Sequence, residues 1–435
     1  MKFFKRLVAS VAAFFMFNMV ISMFFNEISA QSYIDKVKAD PDFAAGIYHT
    51  YTHGDFTDTP APKGYRPFYI SHYGRHGSRY HTSAKYMLEG RDCLAAALAS
   101  GNLTPAGESL YHDCVKVIEE HEGMEGQLSP LGAREHKAIA KRMYNRFRNA
   151  FSAKNRTEVE CASSTVNRCL TSMANFSEGL NDCEPALDFN FLTGERYLNY
   201  IIKNTDNKGP YKASRHYEDS VRKAEYRYDL LFASIFKDPE EAKSQIEDPL
   251  GFVFSLYQVG AICADLDFLG VNVFKYFDAE ELAIIAASRM ERFHCQYGNS
   301  LDWGDVSNAM ADDLLQDIID RADKAVQKDS RRAADLRFGH DTGLVPLVCL
   351  IGLDGFDVRY PTQGVREHWT TTERVPMGSN LQIVFFANKA GKVLVKFLYN
   401  EQETIIPALR PAEGPYYEWP VLKQYLQDRV NRCRL

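Results

Sequence analysis

Three segments of the chain repeat one arrangement: an apolar strand, a short polar loop and then a helix. The strands are read at YRPFYISHYG (65–74), TEVECASS (157–164) and AADLRFG (333–339), and apolar residues return at helical spacing after each loop. Strands that alternate with helices indicate βαβ units, in which the strands pair in parallel. The sequence therefore predicts an α/β fold with a mostly parallel central sheet flanked by helices.

The loops after these strands carry the candidate residues for chemistry. The first loop holds RHGSR (75–79), the second holds Arg168, and the third holds His340 and Asp341. Ligands of parallel sheets bind beyond the carboxyl ends of the strands, where such loops meet. We therefore expect the three loops to form one site.

The stretch YISHYGRHGSRYHTS (69–83) concentrates three histidines and two arginines that would repel one another unless an anion lay among them. A phosphoryl group suits this loop, because its transfer depends on positioning and charge neutralisation. Arginine donates two parallel hydrogen bonds to adjacent oxygens, and an unprotonated histidine can act as a nucleophile. RHGSR thus predicts a nucleophile, His76, between the clamps Arg75 and Arg79, with Gly77 allowing close approach of the backbone.

The second and third loops would complete this chemistry. Arg168 and His340 are expected to add positive charge, and Asp341 is the natural proton donor to the leaving group. HDTG also opens a helix, for which Asp341 or Thr342 is the expected N-cap.

The rest of the chain divides by pattern. Residues 31–190 and 330–435 read as two parts of one α/β core, the second ending in a hairpin around NKAG (388–391). Residues 191–329 are dominated by amphipathic helical patterning and read as a mainly helical inserted subdomain. Within it, DSVRKAEYRYDLLFASIF (219–236) is read as one amphipathic helical stretch.

The N-terminus has the layout of a secretory signal peptide. Three basic residues precede a long apolar run from Leu7 to Phe25, and small residues precede an expected cleavage after Ala30. We therefore predict an exported protein, periplasmic or secreted. The apolar run is long for a signal peptide, so an uncleaved membrane anchor is the alternative.

Net charge and cysteine content limit the partners, disulfides and cofactors that the sequence predicts. The net charge of −6 leaves no basic footprint, so nucleic acid is not an expected partner, and nothing implies a stable protein partner. Nine cysteines leave at least one thiol unpaired, and their pairing cannot be read from the sequence. None lies at the CxxC spacing typical of zinc, so neither a metal nor another cofactor is expected.

Four segments together resemble one family. RHGSRYHT resembles the RHGxRxPT signature of the histidine acid phosphatases, with His81 where proline is usual, and HDTG resembles their later His-Asp element, with Gly343 where asparagine is common. LSPLGAREHKAIAKRM (128–143) is similar to the helix entry LTxxGxxxHxxLxxR, and SSTVNRCLTSMANFSEGL (163–180) to the segment that supplies the second-loop arginine. The resemblance extends from about residue 65 to about residue 355.

The resemblance implies a phosphoglycerate-mutase-like fold and a two-step, metal-free hydrolysis of phosphomonoesters. By position, His76 would be the nucleophile and Asp341 the general acid. The implied phosphate-binding residues are Arg75, Arg79, Arg168 and His340, with assistance from Thr82. The chain also looks like the multiple inositol polyphosphate phosphatase branch, but that branch usually carries His-Ala-Glu where this chain has His340 and Asp341. The acid therefore resembles that of the acid phosphatases and phytases.

Several functions remain open on the sequence. The leading one is hydrolysis of inositol polyphosphates such as phytate; the alternatives are a broad-specificity acid phosphatase, a mutase that returns the phosphoryl group to substrate, and a binding module without turnover. His72 and His81 are read as packed or solvated. The basic segment 203–218 is either a rim for a highly phosphorylated substrate or a solvated loop.

Overall fold

A computed structural model of the chain describes residues 32–151, 156–201 and 207–434. Its strands form one mixed sheet. They are β1 (Arg66–Arg75), β2 (Glu158–Ser163), β3 (Asp188–Thr193), β4 (Arg332–Gly339), β5 (Asn380–Ala387), β6 (Val393–Tyr399), β7 (Gln402–Thr404) and β8 (Tyr417–Glu418).

The sheet has the strand order β3-β2-β4-β1-β5-β6-β7, with β8 paired to β6. The first four strands in this order are parallel to one another, and β5 to β8 pair antiparallel. The predicted parallel centre is thus confirmed, and the predicted hairpin, β5–β6, extends the same sheet. The three strands read from the sequence are β1, β2 and β4, which are neighbours.

Helices cover the sheet and fill the connections. They are α1 (Tyr33–Ala39), α2 (Lys85–Ala99), α3 (Pro105–Glu120), α4 (Pro130–Arg146), α5 (Arg148–Phe151), α6 (Asn167–Cys183), α7 (Glu195–Ile201), α8 (Lys208–Glu225), α9 (Asp229–Ile235), α10 (Pro239–Gln245), α11 (Pro249–Gly260), α12 (Ala279–Tyr297), α13 (Gly304–Ala309), α14 (Asp312–Ala325), α15 (Asp341–Ile351), α16 (Thr371–Arg374) and α17 (Trp419–Cys433). Short 3₁₀ turns span Pro41–Tyr48, Ala264–Leu269, Phe274–Tyr276 and Val365–Glu367.

Alternation along the strands buries both faces of the sheet. On β5, Leu381, Ile383 and Phe385 belong to one apolar cluster, whereas Val384 and Phe386 belong to another. Successive side chains of a strand point to opposite faces, so the two clusters lie on the two sides of the sheet. The second cluster includes residues of α4 and α6, and the first includes residues of α15 and α17. Burial on both faces explains why the parallel strands read as nearly continuous apolar runs.

Between β3 and β4 the elements that the structure describes are the helices α7 to α14 and two 3₁₀ turns, joined by loops. This agrees with the helical patterning read there, whereas the domain boundaries at 190 and 329 remain predictions. The stretch read from 219 to 236 is divided, because α8 ends at Glu225 and α9 begins at Asp229. Tyr226, between them, has an extended backbone and donates or accepts a hydrogen bond with Ser288.

No helix within the described ranges is long and apolar enough to cross a membrane. The predicted signal peptide, residues 1–30, lies outside those ranges.

Candidate active site

The carboxyl ends of β2, β4 and β1 lie side by side and bring the three loops together. Arg75 at the end of β1 is in register with Gly339 at the end of β4, and Ser163 at the end of β2 is in register with Phe338. The residues that follow each strand therefore emerge at one edge of the sheet, as expected for a ligand site of a parallel sheet.

His76 is buried at this edge with its ring fixed in one tautomer. Nδ1 lies 3.0 Å from the carbonyl oxygen of Gly77, which can only accept, so Nδ1 carries the proton and Nε2 keeps its lone pair. The backbone N–H of His76 donates to the Gly339 carbonyl at 3.0 Å. Burial, followed by the charges of Arg75 and Arg79, holds the pKa of His76 well below its usual value. The lowered pKa favours the unprotonated ring, which can act as a nucleophile.

Three arginines surround this ring with donors that protein groups do not satisfy. Arg75 is fully buried; it donates to the Val375 carbonyl at 2.7 Å and lies 3.0 Å from Oδ2 of Asp341. Arg79 donates to the Tyr80 carbonyl at 2.8 Å. Within the described part of the chain, the buried Nε atoms of Arg75, Arg79 and Arg168 have no hydrogen-bond partner. Buried donors without partners are rare, and here they point to an anionic ligand.

His340 joins the second and third loops. Nδ1 of His340 accepts from the Arg168 guanidinium at 3.3 Å, so Nε2 carries the proton and donates to Oγ of Ser164 at 3.1 Å. Burial and the Arg168 charge lower the pKa of His340 to about 3. The ring is neutral, and its centroid lies 5.5 Å from that of His76.

Asp341 begins α15 and pairs with Arg75. Burial would raise the pKa of its carboxyl, but Arg75, His340, Arg79 and the hydrogen bond from Thr342 N together outweigh burial and hold that pKa below the ordinary value. The expected N-cap was wrong: His340 is the N-cap, because its backbone is extended (φ −128°, ψ 163°) and its carbonyl accepts from Leu344 N at 3.0 Å. The amino end of α15 still opens at the site, so its dipole favours a bound anion.

The structure thus brings six of the seven predicted residues together: Arg75, His76, Arg79, Arg168, His340 and Asp341. The seventh, Thr82, is exposed and lies against Gly126, as Arg168 does. Thr82 is at the rim of the site. Of the two flanking histidines, His72 packs against Phe176 and Phe338, with ring centroids 4.9 and 5.5 Å away, and so has a structural role.

Sequence reasoning missed the groups that hold the loop after β1. Glu135 of α4 accepts from the backbone N–H of Ser78 at 2.8 Å, from its hydroxyl at 2.9 Å and from Tyr51 N at 3.0 Å. Close packing fixes the same loop, since a Cβ on Gly77 would lie 2.8 Å from the backbone of Gly132. The segment GAREHK contains both Glu135 and Gly132, but nothing in its pattern indicates which residues it supports.

A cavity of about 230 Å³ opens beside this cluster and is lined by Arg79 and Asp341. A second cavity of about 480 Å³ is lined by Thr82 and His81, among others. Three residues line both cavities: Tyr48, Arg289 and Arg292.

The two arginines of this shared wall are held by one carboxylate. Glu218 of α8 accepts from Arg289 at 2.8 Å and from Arg292 at 3.0 Å, both on α12. Two guanidinium groups against one carboxylate leave an excess of one positive charge. The wall can therefore attract a further anionic group of a ligand bound at His76.

Tyr48 is the third residue of the wall that the two cavities share. Its ring lies 4.9 Å from the guanidinium carbon of Arg79 and stacks on His81, with centroids 5.6 Å apart. Arg79 is therefore held against an aromatic face, which favours a cation. Of the basic segment read at 203–218, Lys203 lies outside the described residues and Arg215 lines the second cavity.

Comparison with known proteins agrees with this geometry. The family model for the histidine phosphatase superfamily (branch 2) matches residues 272–400. The multiple inositol polyphosphate phosphatase 1 of Gallus gallus is 25% identical over 392 residues, which cover 82% of this chain and 81% of the relative.

Solved structures share the fold. The multiple inositol polyphosphate phosphatase of Bifidobacterium longum in complex with phosphate superposes with a TM-score of 0.73 at 21% identity, over 88% of this chain and 97% of that one. The phytase from D. castellii superposes with a TM-score of 0.66 at 15% identity, over 89% and 85% of the two chains.

Proposed function

We propose that this chain is a phosphomonoester hydrolase of branch 2 of the histidine phosphatase superfamily. We further propose that it works through a covalent phosphohistidine on His76 and acts on inositol polyphosphates such as phytate. The observation that carries the mechanism is the buried imidazole of His76, whose Nδ1 donates to the Gly77 carbonyl and leaves Nε2 with its lone pair. The charges of three arginines act on this ring, and the Nε atom of each has no hydrogen-bond partner among the described residues.

In the first step, Nε2 of His76 attacks the phosphorus atom of the ester. Arg75, Arg79 and Arg168 hold the phosphoryl oxygens and neutralise the charge that develops on them. The Nε2–P bond forms as the bond from phosphorus to the ester oxygen breaks, and Asp341 donates its proton to that oxygen. The Nδ1–H of His76 remains bonded to the Gly77 carbonyl and stabilises the positive imidazole ring.

In the second step, water attacks the phosphohistidine. Asp341, now a carboxylate, accepts a proton from the water, phosphate leaves, and Nε2 of His76 regains its lone pair. The two steps return both residues to their starting states, so no further reactant is needed.

The protonation of Asp341 depends on the bound phosphoryl group. In the free site the Arg75 guanidinium lowers the pKa of Asp341, which favours the carboxylate. A bound phosphoryl group carries negative charge into the same cluster and offsets this effect, so the pKa of Asp341 rises in the complex. Hydrolysis should therefore be fastest on the acid side and should fall as pH rises through the pKa of Asp341 in the complex.

The substrate class rests on the wall formed by Arg289, Arg292 and Glu218. A simple phosphomonoester places one phosphoryl group at His76 and nothing at this wall. A polyphosphorylated ring would present further phosphoryl groups to the excess positive charge there. The names of the chicken and Bifidobacterium relatives, both inositol polyphosphate phosphatases, support the same substrate class.

Export is also part of this proposal. Residues 1–30 would direct the chain to the periplasm or outside the cell, and N-terminal sequencing of the protein recovered there should begin at Gln31 if the segment is cleaved. Recovery of an intact N-terminus in the membrane fraction would instead support the anchor.

Replacement of the nucleophile tests the mechanism. His76→Ala should lower phosphate release from both phytate and an aryl phosphate by about a thousandfold or more, because no other group can form the phosphoenzyme. The assay is phosphate release at acidic pH with a chelator present. His112→Ala, which removes an exposed histidine of α3, serves as the control and should retain full activity. Equal activity of His76→Ala and wild type would contradict the proposal.

Replacement of the acid tests its role. Asp341→Asn should slow an alkyl phosphate by about a hundredfold but an activated aryl phosphate by less than about tenfold, because only the poor leaving group needs a proton. Asparagine retains the oxygen that accepts from Thr342 N at 2.9 Å, so the helix start is preserved. Equal losses on the two esters, measured as kcat/KM, which reports phosphoenzyme formation and not its later hydrolysis, would show that Asp341 is not the leaving-group acid.

Replacement of one wall arginine tests the substrate class. Arg292→Gln should raise KM for phytate by about tenfold and leave KM for an aryl phosphate unchanged, because only phytate reaches the wall. Arg359→Gln is the matched control, since Arg359 also pairs with a carboxylate, Asp305, but lines neither cavity. An unchanged KM for both substrates in Arg292→Gln would favour a broad-specificity acid phosphatase.

A further inference from the structure

A buried carboxyl group that the mechanism does not use interacts electrostatically with the phosphate-binding arginines Arg75 and Arg79. Asp265 belongs to the 3₁₀ turn Ala264–Leu269, and its side chain is fully buried. Neither carboxyl oxygen has a hydrogen-bond partner among the described residues. Burying such a group as an anion is costly, so burial favours its protonated form unless neighbouring groups compensate.

Asp265 is faced by groups of the catalytic loop and of α4. The titratable, charged and polar groups around it are Arg75, Arg79, the Ser78 hydroxyl, Glu135 and, on its own segment, the Cys263 thiol. The same turn is tied to α4 at the surface, where Asp267 pairs with Arg134. The helical region between β3 and β4 thus places a buried carboxyl group within electrostatic reach of the loop that carries His76.

Asp265 and Glu135 are two buried carboxyl groups in one cluster, and their hydrogen bonds decide which one is ionised. Glu135 accepts three, from Ser78 N, the Ser78 hydroxyl and Tyr51 N, and these favour its charged form. Neither oxygen of Asp265 accepts a hydrogen bond from the described residues, since the Ser78 hydroxyl donates to Glu135. Burial raises the pKa of both carboxyl groups, but the hydrogen bonds to Glu135 oppose that rise, which favours Asp265 as the group that holds the proton. Burial, with the Glu135 charge in addition, raises the pKa of Asp265 well above its ordinary value, in the same direction.

We propose that Asp265 is a positioning residue of this active site: while it is protonated, Arg75 and Arg79 direct their charge at the substrate phosphoryl group, and once it ionises it competes for them. The proposal rests on the proposed function, because it concerns the same phosphate-binding arginines.

The net charge of the groups around His76 shows why ionisation of Asp265 should weaken anion binding. Arg75, Arg79 and Arg168 contribute three positive charges, and the carboxylates of Asp341 and Glu135 contribute two negative ones, so 3 − 2 leaves one positive charge. Ionisation of Asp265 brings this sum to zero. An ionised Asp265 would then attract Arg75 and Arg79, with which it interacts electrostatically, and an anion at His76 would bind more weakly.

Sulfate binding is the direct test, because sulfate resembles a phosphoryl group and its charge does not change over the range used. Between about pH 5 and about pH 9, calorimetry should show the sulfate affinity of the wild type falling by about tenfold or more beyond the fall in Asp265→Asn, a neutral isostere, because any fall due to Asp341 is common to both proteins. Asp267→Asn, an exposed change on the same turn, is the control and should follow the wild type. Parallel profiles for wild type and Asp265→Asn would overturn the proposal.

Stability provides a second readout that needs no ligand. The pKa of Asp265 is raised in the folded state, so the folded protein keeps a proton that the unfolded chain releases. The free energy of unfolding of the wild type should therefore fall relative to that of Asp265→Asn as pH rises above the ordinary pKa of aspartate. An unchanged difference in Tm across this range would mean that Asp265 is ionised throughout, and would also overturn the proposal. If Asp265→Asn does not fold, Asp265→Ser, which is also neutral, replaces it in the sulfate calorimetry and in the Tm measurements, and the same results are expected.

The sulfate experiment separates this inference from the proposed function. Sulfate binding with no hydrolysis of any phosphomonoester would contradict the proposed function and leave the role of Asp265 testable by the pH profile. Hydrolysis through His76 with a pH profile of sulfate binding that Asp265→Asn does not alter would contradict only the role of Asp265.

Discussion

The burial of three guanidinium groups around one imidazole is the constraint on which this structure depends. Burying a cation without a partner is costly, and the fold compensates Arg75 with Asp341 and holds Arg79 against the face of Tyr48. It leaves the Nε atom of each arginine unsatisfied by the described residues. Burial and the same charges lower the pKa of His76 and so favour its unprotonated form. One arrangement therefore supplies both the anion site and the nucleophile.

The sheet and the helical region make different contributions to this arrangement. The neighbouring carboxyl ends of β1, β4 and β2 bring in the reacting groups, and those ends are fixed by backbone pairing. The helical region adds groups from outside the sheet. Asp265 interacts electrostatically with Arg75 and Arg79, and the pair Arg289 and Arg292 lines both cavities. On this account the sheet determines the chemistry, and the helical region determines the substrate and the pH range over which it is bound.

Much of the sheet and the reacting groups could be predicted from the sequence. Arg75, His76 and Arg79 are neighbours along the chain, and Arg168, His340 and Asp341 each follow a recognisable strand, so the geometry of parallel strands was enough to place them together. The family resemblance of RHGSRYHT and HDTG pointed to the same residues.

The rest depended on contacts that leave no local signal. Glu135, Asp265 and Glu218 act on residues far away in the sequence, and an acidic residue on a helix is usually a solvated one. Their roles follow from burial and from the partners that the fold brings to them. The N-cap of α15 was misplaced for a related reason, since Asp341 is committed to Arg75 and the preceding residue adopts the extended backbone instead.

The most direct test of this account is to identify the atom that carries the phosphoryl group during turnover. The enzyme would be mixed with an aryl phosphate, quenched in base, where phosphohistidine survives, and mapped by mass spectrometry. The account predicts a phosphoryl group on His76, formed and lost at rates consistent with kcat. A phosphoryl group on any other residue, or turnover with inversion at phosphorus and thus by direct attack of water, would contradict it.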